Sequence, residues 1–359
     1  MPQELRPRRF AAGMGGCCRT LALCALVLLC AWAPDARGAT SGPRPDGPLG
    51  AHAMLYLDAP YSFKRTLFQQ SAALGASSIR VDLALTAVFT ADGSEHWEQV
   101  DEVIALARAY ELRPVGVLLA TPWFIADCPG DGSSYRCPPA DLEAWKRMVS
   151  KVVAHTRGVI ETFEILNEPD GHWAFTGSAA DYAALLRAGH DAIKAANPRA
   201  LVAIAGTMSL ASRGWLDQVL ARAGPHPERL YDVANVHVRA SLRRLPSILR
   251  AWRAFFAAHG AGDKPLWVTE FGYPSDPAYQ YDPAYRDGPA SQASYLRAAL
   301  PLLRARGAAK VFVTLRDNLS GQFASEGVLG GGVGDPPQAG PAVVRKPAFL
   351  AISRLAGLL

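Results

Sequence analysis

What most constrains this chain is a rhythm. Eight short apolar runs rich in Val and Ile, over 51–58, 76–84, 113–121, 160–167, 200–208, 231–239, 264–271 and 309–316, alternate with eight amphipathic stretches. These stretches, over 62–75, 96–111, 139–156, 179–197, 213–223, 243–259, 291–306 and 346–358, carry the helical period. In LEAWKRMVSKVV, for example, Leu142, Trp145, Met148, Val149 and Val152 fall on one face. Asn197-Pro198 and Gly307 stand where two such helices should stop. Eight strand–helix units predict an α/β fold, a single-domain (β/α)8 TIM barrel over 51–359. A doubly wound open sheet is the rival, but it needs a glycine fingerprint after its first strand, and MLYLDAPYS has none.

The segment before the first strand follows a different logic. Arg6, Arg8, Arg9 and Arg19 precede an apolar run from Leu21 to Ala33, too short to span a bilayer but suited to a signal-peptide core. Ala36-Arg37-Gly38 supplies the small residues of a cleavage site, so residues 1–38 are expected to be a signal peptide, with an uncleaved anchor as the alternative. Residues 39–50, Gly- and Pro-rich, read as a linker. The expected location is secreted or periplasmic. Leaving out residues 1–38, with their five arginines and two acids, lowers the formal net charge from +5 to about +2. No basic face remains to attract nucleic acid.

Four of the six cysteines lie in the leader. Cys128 and Cys137 remain, flanking PGDGSSYR, and two thiols closing a short loop in an oxidising compartment predict a disulfide.

On a (β/α)8 barrel, chemistry sits at the C-terminal ends of the strands. Those ends offer Arg80 and Asp82, then Trp123, then Asn167, Glu168 and Asp170. Later strands add His237 and Arg239, then Glu270 and Tyr273, then Arg316, Asp317 and Asn318. Glu168 in EILNEPD and Glu270 in LWVTEFGY stand out, because each closes an apolar run that should be buried. Strands 4 and 7 face each other across such a barrel, and two opposed carboxyl groups are what hydrolysis of a glycosidic bond requires. Each glutamate alone would also suit a stabilising ion pair with Arg80 or Arg316. The histidines form no metal-ligand pattern, no G-x-S-x-G elbow is present, and no cofactor is expected.

ILNEPD, TEFGYPS and the ATPWF after strand 3 resemble clan A of the glycoside hydrolases, within it family 39 and related bacterial exopolysaccharide hydrolases. The resemblance implies a retaining β-glycosidase with Glu168 as acid/base and Glu270 as nucleophile. It implies that Asn167 binds the sugar 2-hydroxyl, that Arg80 supports the nucleophile and that His237 lines the site. Two positions depart from the pattern. Arg239 stands where an aromatic is common, and Leu315-Arg316-Asp317 replaces the usual strand 8 Trp. Arg239 with Arg316 suits an acidic or substituted sugar.

Trp123, Trp173, Tyr273, Tyr279 and Tyr281 lie in loops where rings can stack on sugars. Long loops after strands 3, 7 and 8 favour action inside a polymer, with an exo-acting, β-xylosidase-like enzyme as the alternative. A non-catalytic barrel that binds carbohydrate during polysaccharide assembly or export is the reading from another class. It would keep the aromatics without needing both glutamates.

Overall fold

The computed structural model describes residues 46–128, 134–318, 321–331 and 343–357. The expected leader and most of the expected linker lie outside these residues.

Eight parallel strands and eight helices alternate: β1 Leu49–Tyr56, α1 Tyr61–Leu74, β2 Ser78–Ala84, α2 Glu98–Ala109, β3 Arg113–Leu119, α3 Leu142–His155, β4 Thr162–Ile165 and α4 Ala179–Ala196. The second half continues with β5 Leu201–Ala203, α5 Arg213–Arg222, β6 Ala234–His237, α6 Leu245–Ala258, β7 Leu266–Phe271, α7 Gly288–Ala305, β8 Ala308–Thr314 and α8 Pro347–Ala356. Strand neighbours run β5-β4-β3-β2-β1-β8-β7-β6. A parallel bridge Ala203↔Val233 and the bond from Ile204 N–H to Val233 O (3.2 Å) join the two ends of that order. The result is the (β/α)8 barrel that the alternation predicts. β1 opens at Leu49, two residues earlier than the sequence suggested, so the expected linker runs into the barrel wall.

Local signals set the helices. Ser178 and Asp181 form a reciprocal capping box at α4, Asp141 caps α3 through Ala144 N–H, and Gly75 ends α1 with φ 88°. The amphipathic faces bury Trp145 and Val149 on α3 and Leu249, Trp252 and Phe256 on α6. Inside the lower barrel Val115, Ala203, Val233, Trp267 and Phe312 form a separate apolar cluster. Gly50 makes that floor possible: a Cβ there would lie 2.4 Å from the Phe312 ring. Among the described residues no helix is long and apolar enough to cross a membrane.

A short antiparallel pair, β9 Leu329–Gly330 with β10 Val344–Arg345, lies between β8 and α8. The segment leading into it returns over the mouth, with Leu329 N–H bonded to Leu315 O (2.8 Å) and Val328 N–H to Thr314 O (3.2 Å).

Candidate active site

The mouth is built where strand geometry breaks. Among the described residues, five non-glycines have positive φ: Met54 (46°) at the irregularity in β1, Ala120 (60°) just after β3, Leu166 (62°) and Glu168 (42°) just after β4, and Glu111 (54°) elsewhere. Such backbone costs on the order of 1–3 kcal/mol per residue and persists where the surroundings enforce it. At Glu168 the enforcement is a bond from its N–H to Gly206 O, 3.1 Å.

Glu168 and Glu270 are both 8% exposed and, with His237, present ligand atoms all within 4.8 Å of one another. β4 and β7 thus bring the two glutamates face to face. His237 Nδ1 lies 2.6 Å from Glu168 Oε1 and 3.6 Å from Glu270 Oε2. Its other nitrogen is fixed by a relay: Thr269 Oγ1 donates to Asn235 Oδ1 (2.9 Å), so it accepts from His237 Nε2–H (3.1 Å). The contact between Nδ1 and Glu168 therefore holds a single proton. Gly206 leaves room for the ring, since a Cβ there would lie 2.3 Å from it.

Arg80 is the hub beneath. Its Nε and Nη2 donate to Glu164 at 2.8 and 3.1 Å, Nη2 also to Asn167 Oδ1 at 2.7 Å, and Nη1 to Glu270 Oε1 at 3.2 Å. Asn167 thus commits its oxygen to Arg80, and its NH₂ is what it can offer a ligand. Nη1 also meets His52 Nδ1 at 3.2 Å. A guanidinium only donates, so His52 carries its proton on Nε2, 3.5 Å from Glu270 Oε1. On the far side Arg239 Nη2 donates to Glu270 Oε2 at 3.2 Å.

These contacts sort the charges. Burial alone would raise the Glu270 carboxyl, but His237, Arg80 and Arg239 outweigh it and hold the group well below the usual range. Burial, with Arg80 beside it, pushes His52 down to about 3, so that ring is neutral. His237 moves the other way: burial opposes its charge, yet Glu270 and Glu168 raise it overall. Asp82 is pushed up to about 6 by burial, against the pull of Arg80. Glu168, His237 and Glu270 could in principle hold a metal ion, but two guanidiniums on Glu270 oppose a further positive charge there.

The other sequence candidates divide. Trp123, 69% exposed, Trp173, 58%, and Tyr279, 46%, stand in the loops after β3, β4 and β7. Cys128 and Cys137 are bonded, and the ends of the strand 3 loop are tied by Thr121 N–H to Tyr135 O (3.0 Å). Asp170 braces two loops, accepting from Met208 N–H and Ser212 Oγ. Asp317 accepts from Gly327 N–H and Lys346 Nζ.

Two candidates are corrected. Tyr273 is fully buried, stacked on Tyr295 (centroids 4.0 Å apart) with its hydroxyl donating to Tyr285 O. Two residues past the end of β7, it packs its ring against α7. Arg316 is fully buried too, donating to Met54 O and lying 5.5 Å from the Phe63 ring centre. The bulge in β1 leaves that carbonyl in need of a donor, and Arg316 supplies it. The expected Arg239/Arg316 pair for an acidic sugar therefore does not form. Tyr281 is also drawn inward, its hydroxyl donating to Gly272 O.

Sequence reasoning missed His52, Glu164, Asn235 and Glu326. The first three were detectable as polar residues inside apolar runs. Glu326, in a glycine-rich loop, gave no signal.

No family model and no curated protein matches the sequence. Solved structures do match in shape. A family 39 glycoside hydrolase from Bacteroides cellulosilyticus WH2 aligns with TM-score 0.66 and 17% identity, over 87% of this chain and 63% of that one. A GH39 β-xylosidase from Caulobacter crescentus gives 0.61 and 21%, over 88% and 72%. A GH5_18 protein from Bifidobacterium longum, solved with Manβ1-4GlcNAc, gives 0.62 and 13%, over 87% and 78%. This chain shares their fold. It spans less than two thirds of the first of them.

Proposed function

We propose that this protein is a retaining β-glycosidase working by double displacement. The observation that carries the reading is the pair of opposed carboxylates, no more than 4.8 Å apart between their nearest ligand atoms and set in unequal environments. Retaining enzymes hold the two groups about 5–5.5 Å apart, inverting ones about 6.5–9.5 Å, to admit a water. The spacing here supports retention.

The unequal environments support a division of roles. Glu270, pressed between Arg80 and Arg239, is ionised and supplies the attacking electron pair. Glu168 shares one proton with His237 and can pass it to the departing oxygen. In the second step the same pair takes a proton from water, which attacks the anomeric carbon and releases Glu270. With its oxygen held by Arg80, Asn167 has its NH₂ to offer a hydroxyl of the bound sugar in this reading.

The neighbours of like fold are glycoside hydrolases, which supports the same class of substrate. The exposed rings of Trp123, Trp173 and Tyr279 fit stacking on successive sugars of a polymer outside the cytoplasm, and an endo mode is our reading of them. The test uses aryl β-glycosides and polysaccharides with proton NMR of the first-formed anomer, plus a 2-fluoro glycoside to trap the ester. Retained configuration and a mass adduct on Glu270 are expected. An inverted first product, or an adduct elsewhere, would refute the mechanism. Monosaccharide as the sole early product would refute the endo mode.

A further inference from the structure

Each oxygen of the Glu270 carboxylate has its own guanidinium: Arg80 on Oε1 and Arg239 on Oε2, both at 3.2 Å. The two are anchored differently. Arg80 is fixed from within the barrel wall by Glu164. Arg239 is fixed from outside the wall by Glu326, which accepts Nε at 2.7 Å and Nη2 at 2.9 Å.

Glu326 is itself carefully placed. It is 1% exposed, and Thr314 Oγ1 donates to its Oε2 at 3.4 Å. Gln292 Nε2, fully buried on α7, bonds the carbonyls of Glu326 and Gly327 at 3.2 and 3.0 Å. Gly272, just past β7, leaves the space, since a Cβ there would lie 2.3 Å from Glu326 Cγ. The Phe323 ring covers the Arg239 guanidinium at 4.9 Å. A buried ion pair built this thoroughly is poor value for stability alone, because desolvation offsets much of its attraction.

We propose that Arg239, aimed by the positioning residue Glu326, makes Glu270 a good leaving group in the second displacement. This rests on the reading of Glu270 as nucleophile. In the first step Glu270 bonds to the anomeric carbon, the glycosidic bond breaks, and the leaving oxygen takes the proton. Carboxylate charge is lost there, so Arg239 opposes the step. In the second step a water oxygen bonds to the anomeric carbon, its proton goes to Glu168, and the ester electron pair returns to Glu270. Charge develops beside Arg239, and the charge-assisted bond strengthens as the ester opens. The same contact that slows attack speeds release.

The experiment compares wild type, Arg239→Met, Glu326→Gln and Arg239→Met/Glu326→Leu on an activated aryl β-glycoside. The double variant replaces the buried pair with apolar groups, which keeps the test alive if a single variant leaves a lone charge and unfolds. For Arg239→Met, kcat should fall about 10–100-fold, the range below that for loss of a sole oxyanion donor. KM should fall with it, and kcat/KM should change far less. A burst of about one aglycone per site and a glycosyl ester on Glu270 in quenched enzyme should appear. Glu326→Gln should show the same split more weakly, and the double variant should be no worse than Arg239→Met. A raised KM with kcat/KM falling in step, absence of a burst, or additive losses would overturn the proposal while leaving the nucleophile assignment intact. Absence of turnover by wild type on every glycoside would remove that assignment and this proposal together.

Discussion

At the floor of the barrel Lys310 lies 5.0 Å from the centre of the Trp267 ring, its Nζ bonded to Ser78 Oγ and Asp46. At the mouth Arg80 meets Glu164, Asn167, Glu270 and His52, and Arg239 bridges Glu270 to Glu326. Both ends bury cations, but the balance differs. Burial outweighs the Asp46 partner and lowers the Lys310 ammonium, whereas at the mouth burial is outweighed by carboxylates and both guanidiniums are raised. The floor is an apolar plug that tolerates the Lys310 charge. The mouth gathers charge that packing does not need, which is how a site for chemistry differs from a site for stability.

The sharpest way to break that contrast is at Glu270, the proposed nucleophile. Glu270→Gln should cut kcat by on the order of 10⁴–10⁶, as for nucleophiles in other covalent mechanisms, in protein that is still folded at the assay temperature. Glu168→Gln should cost about 10²–10⁴ on natural glycan and less on activated aryl glycosides. Near-wild-type turnover by either would erase the distinction between mouth and floor. The mirror experiment is Trp267→Ala, buried in the floor cluster. It should cost about 3–5 kcal/mol in denaturant melts while the folded fraction keeps its kcat. A kcat that falls without a stability change would show that the floor reaches the chemistry.

The strand 3 loop tests the rim. Replacing Cys128 and Cys137 with Ser should cost at most roughly 2–3 kcal/mol, given a closed loop of nine residues' separation. Loss of folding would mean the disulfide supports the barrel and not only its rim.

His237 sharpens the electrostatics. Its raised pKa means the shared proton is kept above the ordinary value of about 6.5 and lost as pH climbs through the raised one. The alkaline limb of kcat/KM should therefore lie above that value, and His237→Gln should move it toward acid. An unmoved limb would put the titration elsewhere. The smallest effect belongs to Lys310→Met. Because the folded ammonium is depressed, its burial disfavours the fold at neutral pH, and removing it should leave stability unchanged or slightly raised. A substantial loss would make Lys310 a keystone of the floor.

Much of this was legible in one dimension. Apolar runs and helical periods reveal eight strand–helix units, because alternation and the 3.6-residue repeat are local properties of a chain that must bury one face. Strand ends are local too, so Glu168 and Glu270 could be read, and with them Arg80, Asn167 and His237. What folding alone decided is which way each of these turns and what it meets. Tyr273 was taken up by Tyr295 of α7, and Arg316 was drawn to the carbonyl that the β1 bulge exposed. Arg239, legible as a strand end and a departure from a pattern, became a partner of Glu270 while held by Glu326, 87 residues away. No local signal marks such a partner. Hydrogen bonds and ion pairs act over a few ångströms, and only closure of the barrel brings residues so far apart in sequence within that reach.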